Sequence, residues 1–335
     1  MRSKKAIFGT LAFFGALALV PLVVGNMYTI HIFILTLTYL VVVAAWDLIM
    51  GYGGAFSFAQ VGFFVIGAYA SGMISIRTGM SPWLTMPIAG LVTAIVGVLI
   101  CLPCLRVRGS YVALITYALV LVLPTFILRG GPLGTGGAQG LVGVPGLSIG
   151  GFVFSPMDLV PWFYTALGLA ALCIGLIYFV ILPSTYGLSL MALRDSEVLA
   201  RHLGVSQYFT KTTLFAASAF FTGLAGAFYV HYTGAASQRL LGMDFFLLLL
   251  VMLTLGGMGR YPGVLIGTFA FAFVNEYFRI SGTWRLVFIG SIIVIGTLVL
   301  PQGLVSLGDW PKSIYKKWRQ RQEADRAAVD STQDH

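Results

Sequence analysis

Runs of roughly 20 apolar residues recur along this chain of 335 residues, and they constrain its fold more than any motif does. About 20 helical residues cross the ~30 Å hydrocarbon core of a bilayer. The runs lie near 6–25, 29–49, 55–75, 84–104, 111–128, 159–182, 210–232, 241–258, 262–280 and 286–304. The expected fold is therefore all-α, a polytopic integral membrane protein with about ten transmembrane helices. The membrane domain occupies 1–310, with an inner loop at about 183–209, and 311–335 form a polar cytoplasmic tail.

Composition agrees. Charged residues make up only 9% of the chain, apolar residues 58%, and the mean hydropathy is +0.93. A soluble domain needs about 25% charged residues to wet its surface. Soluble enzymes, nucleic-acid-binding modules, disulfide scaffolds and disordered chains are excluded for the bulk of the sequence. The 41 glycines imply close helix packing in lipid.

The net charge of +9 comes from residues in short loops and in the tail, so it reads as membrane orientation rather than affinity for nucleic acid. With the N-terminus inside and one crossing per run, all six lysines fall inside. Arg2, Arg106, Arg108, Arg194, Arg201, Arg260, Arg319, Arg321 and Arg326 join them, against only Arg77, Arg129, Arg239, Arg279 and Arg285 outside. Both termini are thus expected in the cytoplasm. The first run follows Arg2, Lys4 and Lys5 as a signal peptide would; because more runs follow, it reads as an uncleaved span. Trp46, Trp83, Trp162, Trp284 and Trp310 fall at expected span ends, as in an aromatic belt. Cys101-Leu-Pro-Cys104 has redox-pair spacing, but inside an apolar run it reads as packing.

Little in the sequence is suited to catalysis. His31, His202, His231 and His335 are scattered, no phosphate-cradling Gly-x-x-x-x-Gly-Lys-Ser/Thr exists, and Asp47, Asp244 and Glu276 sit towards span ends. Neither a metal nor a cofactor is expected. Ion-coupled carriers place ionisable groups deep in their spans, so energy for transport is expected from a separate protein.

Three segments stand out. Gly51-Tyr-Gly-Gly-Ala-Phe-Ser-Phe-Ala-Gln60 loosens the helix between two spans. It makes Gly54, Ser57, Gln60 and the later Tyr69 candidates for a substrate path, with close helix packing as the alternative. In Leu255-Gly-Gly-Met-Gly-Arg-Tyr-Pro-Gly263, the fourfold spacing of Gly259, Gly263 and Gly267 predicts a smooth helical stripe for packing. Pro262 suits a first helical turn. In the inner loop, Leu190, Leu193, Ala200 and Leu203 can share one side of a short helix that Gly204 ends. Arg194 and Glu197 are spaced to pair. Such a helix is either a peg for a soluble partner or lies on the membrane surface.

Together these segments resemble the LivM-type permease subunits of ATP-binding-cassette importers for branched-chain amino acids. The resemblance covers about residues 30–305. It runs through Gly51 to Tyr69, Arg106-Val-Arg-Gly-Ser-Tyr-Val-Ala113, Thr135-Gly-Gly137 with Gly140-Leu141, Ala192-Leu-Arg-Asp195, Leu203-Gly204, Phe220 to Phe228 and Gly256-Gly-Met-Gly259. It implies a non-catalytic subunit in the bacterial inner membrane forming half of a translocation path. Its partners would be a second related permease subunit, two cytoplasmic ATPase subunits and a periplasmic substrate-binding protein. Residues 190–204, with Arg194, Asp195, Glu197, Ala200, Leu203 and Gly204, would couple to an ATPase. Thr135, Gly136 and Gly137 would face the path mouth or the binding protein. Family members commonly carry Gln-Leu-Ser-Leu-Gly-His after the glycine pair, where this chain has Ala55-Phe-Ser-Phe-Ala-Gln60. That difference leaves branched-chain amino acids, urea and organic acids open as substrates. A stand-alone channel or facilitator for a small neutral solute such as urea is the alternative.

Overall fold

A computed structural model describes residues 4–107, 109, 111–131, 134–149, 152–155 and 158–278, with scattered positions between 287 and 305. The apolar runs become helices. These are α1 (Lys4–Ala18), α2 (Val20–Val23), α3 (Met27–Asp47), α4 (Gln60–Thr78), α5 (Pro82–Cys104), α6 (Tyr111–Arg129) and α7 (Leu159–Gly175). They continue with α8 (Thr185–Asp195), α9 (Glu197–His202), α10 (Gln207–Thr233), α11 (Met243–Gly256) and α12 (Gly263–Tyr277). Two π-helical turns, Leu48–Tyr52 and Leu176–Ile181, extend α3 and α7.

Among the described residues, seven helical segments are long and apolar enough to cross a membrane: Ala6–Val23, Met27–Tyr52, Gln60–Thr78, Pro82–Cys104, Tyr111–Arg129, Leu159–Ile181 and Gln207–Thr233. The chain is thus a multi-pass, predominantly helical membrane protein. α11 and α12 are apolar but have 14 and 15 residues, or about 21–23 Å of rise, short of the ~30 Å core. The expected tenth run, 286–304, lies mostly outside the described residues. The polar tail, Trp284, Trp310 and Arg108 lie wholly outside them.

Local chemistry explains the boundaries. The Asn26 side chain caps α3 by accepting from the Tyr28 N–H (3.0 Å), and Ser206 caps α10 through the Phe209 N–H (3.4 Å). Gly79 and Gly234 end α4 and α10 in the left-handed conformation that glycine adopts without strain. α10 runs through the centre against α3, α4 and α5. Its small-residue face makes this possible. Gly223 lies against Gly67 and Thr93, Gly226 against the Phe64 carbonyl, and Ala219 against Gly97.

The two ends of the helices form separate faces. On one, β1 (Leu141–Val142) pairs antiparallel with β4 (Ala235–Ala236), Leu141 opposite Ala236, and β2 (Ser148–Ile149) forms a hairpin with β3 (Phe152–Val153). The connection between α6 and α7 thus carries short β-pairings. The Trp83 indole donates to the Ser148 carbonyl (2.8 Å), and Tyr69 donates to the Ala236 carbonyl (3.1 Å). On the opposite face, α8, the 48–59 segment and the 257–262 turn converge. It is called the inner face, after the orientation expected from the charges.

Several expectations need correction. Trp46 and Trp162 are buried in the helix bundle rather than in an aromatic belt. The Trp46 indole donates to the Ser57 carbonyl (2.7 Å), and Trp162 packs on Phe154, Phe228 and Tyr232. Gly259 is not on a helical stripe. It sits in the turn before α12 with φ +69°, while Gly263 and Gly267 pack against Gly256. The inner-loop helix is two helices, because Ser196 is extended (φ −158°) and caps α9 by accepting from the Leu199 N–H (3.3 Å). Serine competes for backbone donors at a helix start and so favours the break. Leu190, Leu193 and Ala200 are buried, whereas Leu203 points outward.

Candidate functional site

The inner-face junction begins at the end of α3. After Asp47 the helix widens into its π-turn, and residues 53–59 unwind before α4 starts. The Gly53 and Ala55 amides reach back to the Leu48 and Ile49 carbonyls (3.0 and 3.1 Å). The glycines are required by close approach. A methyl group on Gly51 would come within 2.8 Å of the Gly259 Cα, and one on Gly53 within 2.7 Å of the Ile49 carbonyl. Gly54 has φ +65° and faces Arg194. Irregular backbone near membrane depth is stable only where protein or water covers it.

Asp47 anchors this segment. It is fully buried, one carboxylate oxygen accepting the Gly259 N–H (2.6 Å) and the other the Tyr178 hydroxyl (2.8 Å). Tyr178 lies in the second π-turn and stacks obliquely on Tyr261, ring centres 4.5 Å apart. From α8, Arg194 donates to the Gly51 carbonyl (3.0 Å) and forms an ion pair with Asp195 (3.0 Å). It does not pair with Glu197, as the spacing had suggested. The bend at Ser196 turns Glu197 away, and that carboxylate takes Lys211 and Gln207 of α10 instead.

Gly204 ends α9 with φ +84°, as expected, and the Val205 amide returns to the Ala200 carbonyl (3.0 Å). Val198, Leu199 and Leu203 are 62%, 61% and 73% exposed, leaving α9 an uncovered apolar side. Tyr186 of α8 donates to the Thr210 carbonyl (3.1 Å), and burial pushes its hydroxyl pKa up to about 12.

The expected path residues lie at three places. Ser57 and Gln60 are buried between α3, α4 and α10. The Gln60 amide donates to Ser218 (2.7 Å), which donates to the Ala45 carbonyl (2.6 Å). Tyr69 joins the outer pairings, and Thr135 donates to the Ile127 carbonyl (2.7 Å) to brace the turn that Gly136 and Gly137 make with positive φ. Next to Ser57, but on the other side of the unwound backbone, is a cleft of about 620 Å³. Phe56, Phe58, Tyr111, Tyr117, Met243 and Phe246 line it. Phe58, Tyr117 and Phe246 contact one another with ring centres 5.3–6.4 Å apart. The cleft is almost wholly apolar, suited to an aliphatic or aromatic side chain.

The sequence pattern marked Phe56, Phe58 and Tyr111 but not Tyr117, Met243, Phe246, Tyr178 or the role of Asp47. One signal for Asp47 was available. A carboxylate inside a long apolar run costs several kcal/mol unless the fold pairs it.

A multi-pass helical bundle with a broken helix, an apolar cleft beside the break and a loop hydrogen-bonded to it is an arrangement of the kind membrane transporters use. Residues 28–297 match the family model described as "Branched-chain amino acid transport system / permease component", and the chain belongs to that family. It is 28% identical over 302 residues to the high-affinity branched-chain amino acid transport system permease protein LivM of Escherichia coli, covering 83% of this chain and 70% of that protein. The LivM protein of Salmonella typhimurium gives the same identity and coverage. The probable branched-chain amino acid transport permease protein LivH of Methanocaldococcus jannaschii is 27% identical over 280 residues, 76% of this chain and 84% of the relative. No solved structure matches at a significant level.

Proposed function

We propose that this chain is one of two related permease subunits of an ATP-binding-cassette importer for branched-chain amino acids in a bacterial inner membrane. A periplasmic binding protein delivers the substrate, and two cytoplasmic ATPases supply the energy. The observation that carries this reading is the bond from Arg194 to the Gly51 carbonyl. It ties the inner loop to the backbone break beside the apolar cleft. Similarity to both LivM and LivH proteins supports a pairing of related permeases.

On this reading the chain crosses the membrane ten times with both termini inside. Residues 190–204 dock on an ATPase through the apolar side of α9, with Arg194, Asp195, Glu197, Ala200 and Gly204 holding the bend that presents Leu203. ATP-driven approach of the two ATPases moves α8 and α9, and the bundle passes between inward- and outward-open packings. The two packings differ in their contacts with the ATPases, and that difference drives the cycle. The substrate path follows the aromatic cleft, with Gly54, Ser57 and Gln60 shaping its wall. Tyr69, Thr135, Gly136 and Gly137 shape its outer mouth.

The test is uptake of radiolabelled leucine into liposomes carrying the complete complex. ATP-dependent uptake that also requires the binding protein is the expected result. Rapid leucine or urea flux through this chain alone, without any ATPase, would overturn the proposal in favour of a facilitator.

A further inference from the structure

We infer that Asp47 is the positioning residue through which movement of the inner loop reaches the unwound backbone, an inference that rests on the importer reading above. Its carboxylate is buried at the point where four otherwise separate elements meet. These are the end of α3, the π-turn of α7, the 257–262 turn and, one hydrogen bond away, α8. One oxygen holds the Gly259 N–H against Gly51, and the Gly51 carbonyl is the acceptor that Arg194 uses. The other oxygen holds Tyr178.

The geometry favours transmission over mere packing for two reasons. Gly51 and Gly259 touch backbone to backbone, so a push on Gly51 from Arg194 has no side chain in which to dissipate. Asp47 also joins the only two π-turns among the described residues. Such turns are looser than α-helix and recur at functional positions. A carboxylate that ties one π-turn to the other makes them shift together, and the 53–59 stretch follows directly from the first. A packing role alone would be served by an apolar side chain, at lower desolvation cost.

The test uses the complete complex in proteoliposomes, reading leucine taken up per ATP hydrolysed. In Asp47→Ala, uptake is expected to fall about tenfold or more while hydrolysis persists, a coupling effect of the size single residues exert. Tyr178→Phe keeps the ring and fold and removes only the hydroxyl; the ratio is expected to fall about threefold. If Asp47→Ala does not assemble, Tyr178→Phe decides. An unchanged ratio in Tyr178→Phe, or uptake and hydrolysis falling in parallel in Asp47→Ala, overturns the inference. Failure of the importer reading is distinguishable, because the unsubstituted complex would then take up leucine without ATP.

Discussion

At the outer face, residues 141–149 are held by backbone pairing with 235–236 and by side chains of α4, α5 and α10. His231 bridges Ser71 (2.8 Å) and the Pro145 carbonyl (2.7 Å), and Trp83 reaches the Ser148 carbonyl. At the inner face, residues 47–54 are held by two side chains, Asp47 and Arg194, acting on glycine backbone at the edge of a π-turn. The outer arrangement closes a surface with local, redundant bonds. The inner one concentrates its bonds on a few residues and leaves the apolar side of α9 uncovered. Redundant bonding suits a fixed cap, and a sparse junction suits a part that moves between two positions.

The sharpest way to break this contrast is to substitute matched glycines. Gly259→Val places a branched side chain at φ +69° against the Gly51 backbone. Strain and overlap together are expected to cost at least ~2 kcal/mol and to remove most folded protein from the membrane. Gly143, at φ +77°, has nothing near it in the outer loop. Gly143→Ala should cost only about 1 kcal/mol and leave expression near normal. Equal losses in fluorescence-detected size exclusion would show that the two faces do not differ.

Next in size is Arg194→Ala, which removes the bond to Gly51 while leaving the buried helix faces intact. Leucine uptake is expected to drop about tenfold with insertion unchanged. Uptake that survives would locate coupling elsewhere. Phe56→Ala acts on the cleft wall rather than the junction. Phe56 is 53% exposed, so little stability is lost. The apparent KM for leucine should rise about fivefold with ATP hydrolysis unaltered, the scale of one lost apolar contact.

The smallest effect is a pH slope. Burial raises the Tyr186 hydroxyl from its ordinary value of 10.0 to about 12, so the folded state resists losing this proton longer than the unfolded state does. The resulting stability is intact below pH 10 and is lost as pH rises towards about 12. Thermal midpoints of detergent-solubilised protein should fall over that window, less steeply in Tyr186→Phe. Identical slopes would mean that α8 opens before Tyr186 ionises.

Much of this fold was legible because its cause is local. Apolar runs marked nine helical segments, and Gly204 marked the end of the inner-loop helix. The single inner-loop helix, the Arg194–Glu197 pair and the three-glycine stripe failed for a common reason. Each assumed that helical spacing continues across a point where the backbone turns, at Ser196 or between 257 and 262. Ser57 and Gln60 were marked by their polarity in an apolar setting. Polarity did not reveal that Phe56 and Phe58, on the other side of that backbone, line the cleft.

Sequence by itself determined that this chain lives in lipid and which family it resembles, since hydrophobicity and motif order are properties of the linear chain. Tertiary structure alone decided that Asp47, Tyr178, Arg194 and Gly259 meet at one point. Those residues lie up to 212 positions apart along the chain. Their meeting depends on helices approaching where glycine allows it, and no spacing along one helix encodes that distance.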